Sequence, residues 1–205
     1  MKHRELLLRS IGTFFIAVGI VAIAYAAYWG REYQALWFCY IGSILMGVAV
    51  LSRNKFILLA QINILLIPAI IWAIDFLSLL FFNYALWGIT DYFFAEPLFA
   101  KIISLQHLYN TPLALIALFL LGNSDSNKKW NVKRAWQLGF IEGAVVFILA
   151  RIYSIREENV NWVFYSGFSI PVNLPYTIVW FLGFFLMIFL TNYALVKLTR
   201  SRWKE

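Results

Sequence analysis

The chain has 205 residues, 62% hydrophobic, 19% aromatic and 13% charged, whereas soluble globular domains carry about 25% charged residues. That balance excludes a soluble domain and predicts an all-α, polytopic membrane helix bundle forming one domain over residues 1–205. The formal charge of +7 is scattered in short groups at the ends of apolar runs, which suits lipid headgroups and excludes a nucleic-acid surface.

Six apolar runs approach or reach the roughly 17 to 25 residues that a helix needs to cross about 30 Å of hydrocarbon. The first covers 11–29, preceded by "KHRELLLR". With Ala24, Tyr25 and Ala26 it imitates a signal peptide and cleavage site, but the run is long for one and an uncleaved helix is expected. The second covers 36–51, where Ser43 and Gly47 read as packing residues. Its Cys39 is the only cysteine, so no internal disulfide forms, and no Cys/His spacing matches a zinc or haem site. The third run, 56–82, contains Pro68 and Asp75. The connection 83–101 is aromatic throughout and suits a short interfacial helix, with Trp87, Tyr92 and Phe94 at headgroup level.

The fourth run, 102–121, opens with a polar stripe of Ser104, His107, Asn110 and Thr111, spaced to share one helix face. A hydrophilic loop over 122–131 leads to the fifth run, 132–150, whose Glu142 lies inside a Gly139-x-x-x-Gly143 spacing. A second external connection, 154–175, carries Asn159, Asn161, Trp162, Phe164 and Tyr165 and is expected to fold back over the helix ends. The last run covers 176–198. No repeat relates the two halves, an absence that lowers the weight of a transporter reading.

Six spans with the N-terminus inside place Lys2, Arg4, Arg9, Arg53, Lys55, Lys128, Lys129, Lys133, Arg134, Lys197, Arg200, Arg202 and Lys204 in the cytoplasm. Arg31, Lys101, Arg151 and Arg156 remain outside. This asymmetry predicts cytoplasmic termini in a multi-pass protein of a cell inner (plasma) membrane.

Ionisable side chains cost roughly 2.5 to 3.5 kcal/mol at mid-bilayer by insertion scales, so each needs a partner or a purpose. Asp75 and His107 fall at one level, each about 9 to 10 Å from the outer side. They predict an outer pocket in which Asp75 orients His107 as a general base or metal ligand, with Asp91 reaching over the mouth. Asn110, Thr111, Asn159, Asn161 and Trp162 are its candidate substrate contacts. The competing account has Asp75 and His107 only locking two helices, with Asn110 and Pro112 serving backbone groups freed at a kink. Glu142 reads either as a proton-carrying site or as a neutral acid tied to Gln61, Asn63 or Asn192.

Five stretches, "LWFCY" (36–40), "WAIDF" (72–76), "GITDYFF" (88–94), "SLQH" (104–107) with Pro112, and "ENVNWVF" (158–164), resemble a family of bacterial six-helix proteins labelled "membrane-associated protein". The resemblance implies the fold and no biochemical activity. The family pattern has Asp where this chain has Tyr40 and Gly where it has Tyr165. Loss of that Asp removes one acidic ligand and weakens a metal-site reading; no cofactor is indicated.

Three functions compete. A membrane-embedded enzyme acting on a lipid or lipid-linked substrate would use His107, Asp75 and Asp91, with Thr90 or Thr111 as nucleophile and no local signature behind either. A small-solute or proton-coupled transporter would use Glu142 with Gln61, Asn63 and Asn192. A non-catalytic subunit or binding protein would present the two aromatic connections to a partner. Beyond the bilayer, the partner expected is a lipid or small-molecule ligand.

Overall fold

The computed structural model describes residues 2–122, 132–166 and 174–199. Seven α-helices run α1 Lys2–Tyr28, α2 Phe38–Leu51, α3 Lys55–Phe82, α4 Leu98–Ser104, α5 Gln106–Leu121, α6 Ala135–Tyr153 and α7 Tyr176–Thr199. No strand occurs among the described residues. With α4 and α5 taken as one broken span, Leu98–Leu121, five helical segments are long and apolar enough to cross a membrane. The sixth, α2, has 14 residues, about 21 Å of helix, and falls short of the roughly 30 Å core by itself. The hydrophilic loop expected over 122–131 lies outside the described residues from 123 onward, as do residues 167–173 of the second external connection.

Helix α3 starts and stops on asparagines. Asn54 Oδ1 accepts from the N–H groups of Phe56 and Ile57 at 3.1 and 3.2 Å, and Asn83 ends the helix in the left-handed region at φ 54°. Pro68 does not interrupt it. As the central helix, α3 contacts α2, α5, α6 and α7. The main core joins Phe15, Met46, Leu58, Ile62, Leu118 and Ile188, all 2% exposed or less. On the outward faces Ile20, Ile70, Leu80, Phe119, Ile148 and Leu190 are each about half exposed, far more apolar surface than a water-soluble monomer leaves open and suited to lipid. The chain is a multi-pass membrane helix bundle.

Helices α1 and α2 meet through glycine. A methyl group on Gly47 would sit 2.6 Å from the Gly12 carbonyl oxygen and 2.9 Å from the Ile16 nitrogen, so the two backbones touch and neither can yield alone. Gly47→Ala is expected to destabilise the protein by about 1 to 3 kcal/mol, read as a lowered melting temperature in detergent. Gly183→Ala, where nothing lies within 4 Å, should leave it unchanged or slightly raised. The Gly139 and Gly143 spacing serves two partners: Gly139 faces Ala60 and Ile64 of α3, Gly143 faces the Phe184 ring of α7.

Candidate functional site

Residues 83–97 form turns, and the only helix before the fourth span's break is α4. Of the short helix expected within 83–101, only the first turn of α4, from Leu98, falls in this connection. The segment is folded down onto the bundle by Asp75, which is fully buried. Oδ1 accepts from the Trp87 N–H at 2.6 Å, and Oδ2 accepts from both the Thr90 N–H and the Thr90 hydroxyl at 2.8 Å. Beneath it Trp72, Phe76, Leu79, Ala85 and Phe93 pack as a small apolar cluster. A carboxylate accepting three hydrogen bonds is a pin between helix and loop.

His107 is not bonded to Asp75, contrary to the pairing expected from their common depth. Its Nδ1 lies 2.8 Å from the Ser104 carbonyl oxygen, and its ring stacks on Trp72 at 4.9 Å between centroids and 20° between planes. The helix breaks at Leu105, not at Pro112: the Leu108 N–H donates to the Leu105 carbonyl, which frees the Ser104 carbonyl for the imidazole. That bond assigns the proton to Nδ1 and leaves the lone pair on Nε2. Trp72 Nε1 donates to the Tyr92 hydroxyl, which donates to Ser104 Oγ, each at 3.3 Å; burial raises the Tyr92 phenol above its ordinary pKa.

The remaining expected pocket residues are dispersed. Asp91 is exposed and makes no hydrogen bond among the described residues. Thr90, proposed as a nucleophile, has its hydroxyl committed to Asp75. Asn110 turns away from His107 and donates to Ser43 Oγ at 2.6 Å, while Thr111 is buried in α5.

Asn159 and Asn161, both at positive φ, a region Asn tolerates better than most residues, fasten the second connection. Asn159 Oδ1 accepts from the Phe164 and Tyr165 N–H groups, and its Nδ2 donates to the Tyr165 carbonyl. Asn161 grips the start of α2, accepting from the Phe38 N–H at 3.0 Å and donating to the Leu36 carbonyl at 2.7 Å. The carbonyls of Asn161, Trp162 and Val163 accept from Trp180, Tyr176 and Arg151. Both asparagines commit their amide groups to backbone hydrogen bonds. Asn161→Ala orphans two backbone groups and is expected to cost about 2 to 3 kcal/mol, seen as earlier thermal unfolding and faster cleavage between residues 154 and 166.

A second polar cluster crosses the bundle deeper in. Gln61 Nε2 donates to Glu142 Oε2 at 2.6 Å; Asn63 Nδ2 donates to Asn192 Oδ1 at 2.9 Å, and Asn192 Nδ2 to the Lys133 carbonyl at 3.0 Å. Closer to the capped end, buried Ser43, Gln106 and Asn110 form another group. The two groups adjoin at α2, where a methyl on Gly42 would lie 3.3 Å from Gln61 Oε1. Five buried atoms here have no hydrogen-bond partner: Gln61 Oε1, Glu142 Oε1, Asn63 Oδ1, Asn110 Oδ1 and Gln106 Nε2. Four accept and one donates, a marked excess of acceptors.

Gln106 stands one turn before Asn110 on α5, and that four-residue spacing is the sequence signal that puts it on the same buried face. Among the described residues no group of three or more His, Cys, Asp or Glu side chains is placed to hold a metal ion. The fold and these polar clusters define a multi-pass all-α membrane bundle with a capped end. Compared with family models, curated proteins and solved structures, the chain matches none.

Proposed function

We propose that the chain is a proton-coupled carrier of a bacterial inner membrane, crossing it six times with both termini in the cytoplasm, and that Glu142 takes up and releases the proton. The contact between Gln61 and Glu142 carries this reading. The amide donates to Glu142 Oε2, yet Oε1 of both residues is buried without a donor. A carboxylic acid and a primary amide are complementary head to head, the amide N–H meeting the acid carbonyl and the acid O–H meeting the amide carbonyl. One proton on Glu142 supplies the missing donor and removes a charge from the bilayer interior.

The flanking groups favour a route. Asn63, Asn192 and the Lys133 carbonyl form a separate hydrogen-bonded row that reaches the end bearing Arg4, Arg53, Lys133 and Arg134; by the excess of basic residues this end is cytoplasmic. Ser43, Gln106 and Asn110 lead toward the capped end, with one donor and one acceptor open to bridging water. Membership of the six-helix family rests on the five shared stretches and is part of the same proposal.

The enzyme reading retains His107, whose Nδ1 is committed to the Ser104 carbonyl, but loses Asp75 as its orienting partner. Proton entry into proteoliposomes under an imposed membrane potential, compared between wild type and Glu142→Gln, tests the carrier reading.

A further inference from the structure

A feature independent of Glu142 lies at the capped end. After α1, Gly30 turns the chain at φ +67° into a 3-10 turn at Glu32–Leu36. This turn faces the residues that precede α4. Tyr25, Trp29, Arg31, Gln34, Glu96 and Pro97 line a cleft of about 140 Å³ between them. Arg31 and Glu96 carry opposite charges and share the cleft, and among the described residues no ion pair joins them to each other. Tyr25 forms its aromatic wall, 6.3 Å from the Trp29 ring and 5.1 Å from the Phe99 ring. Gln34 is held from behind by Glu158. Beside the cleft Tyr28, Leu98 and Phe99 are exposed, at helix ends where an interfacial belt is expected.

A cation and an anion that line one cleft without pairing with each other, beside aromatic rings, match a ligand that carries both charges itself. We infer that this cleft binds the headgroup of a zwitterionic phospholipid bearing a primary ammonium. The phosphate lies on Arg31, whose guanidinium suits phosphate oxygens. The ammonium donates to Glu96 and lies near the Trp29 face. The acyl chains run along the exposed apolar side chains of α1 and α4. A lipid with a quaternary ammonium lacks the N–H that Glu96 would accept, and an anionic glycerol headgroup offers Glu96 no cation.

The test is native mass spectrometry of the detergent-solubilised protein with phosphatidylethanolamine, phosphatidylcholine and phosphatidylglycerol of matched chains. Wild type should retain phosphatidylethanolamine about five- to ten-fold over the other two. Glu96→Gln should abolish that preference, and Arg31→Gln should weaken binding of all three lipids, since each carries the phosphate that Arg31 holds. Equal retention of all three lipids by wild type, or an undiminished preference in Glu96→Gln, would overturn the assignment. Soluble phosphoethanolamine binding as tightly as the lipid would overturn the lipid as its source; markedly weaker binding supports it. Neither substitution touches the Gln61–Glu142 pair, so the carrier reading and this one fail separately.

Discussion

Glu142→Gln is expected to reduce proton entry into proteoliposomes to the level of protein-free liposomes while leaving the fold intact. The substitution is isosteric, and the new amide can supply to Gln61 Oε1 the N–H that stands in for the acid O–H. Thermal stability should therefore change by less than about 1 kcal/mol, within the range of substitutions that preserve their contacts. What the amide lacks is a proton it can release. Loss of flux with an unchanged melting temperature separates a carrier group from a structural one, because a purely structural Glu142 would leave flux and stability coupled. Wild-type flux no greater than that of empty liposomes, or a variant as active as wild type, would sink the reading.

Asp75→Ala is expected to produce the largest loss of stability, about 3 to 5 kcal/mol, since it removes a buried carboxylate that satisfies two backbone N–H groups and a hydroxyl. For a chain of this size that corresponds to roughly 6 to 20 °C in melting temperature. Limited proteolysis should cut first between residues 83 and 97, because that segment loses its attachment to α3. Asp75→Asn keeps one acceptor but turns a donor on the donors it must receive, and should fall between Ala and wild type. His107→Ala forfeits only the bond to Ser104 and the stack on Trp72, about 1 to 2 kcal/mol. Equal, parallel effects of the Asp75 and His107 substitutions, reported by a double-mutant cycle as strong coupling, would contradict the separation of the two residues.

Run length and apolarity placed five of the six spans to within a few residues, because a helix in lipid must satisfy its own backbone and its length is set by the bilayer; α1 instead begins at Lys2, well before the apolar run expected from residue 11. Depth was also legible: Asp75 and His107 do lie toward one end. Direction around the helix axis was not. Two side chains at one level meet only if both helices turn them inward, and Asp75 is turned instead to a loop whose fold-back no periodicity encodes. The same limit hid the break at Leu105. Pro112 announces a lost donor, yet α5 continues through it, and the interruption falls where His107 can take the freed carbonyl. The tie between Glu142 and Gln61 was among the partners the sequence suggested, since an isolated intramembrane acid admits few. The motif stretches acquire a shared logic only in three dimensions: Asp75 joins "WAIDF" to "GITDYFF", Asn161 joins "ENVNWVF" to "LWFCY", and His107 stacks "SLQH" on "WAIDF".

The most direct test of the proton-carrying role is infrared spectroscopy of the protein in lipid across a pH titration. The protonated-carboxyl band of Glu142 is identified by its absence in Glu142→Gln. Such a band is expected in the wild type, shifted on exchange into deuterium oxide and lost reversibly as the pH is raised. No such band at any pH, or one that neither exchanges nor titrates, would contradict it.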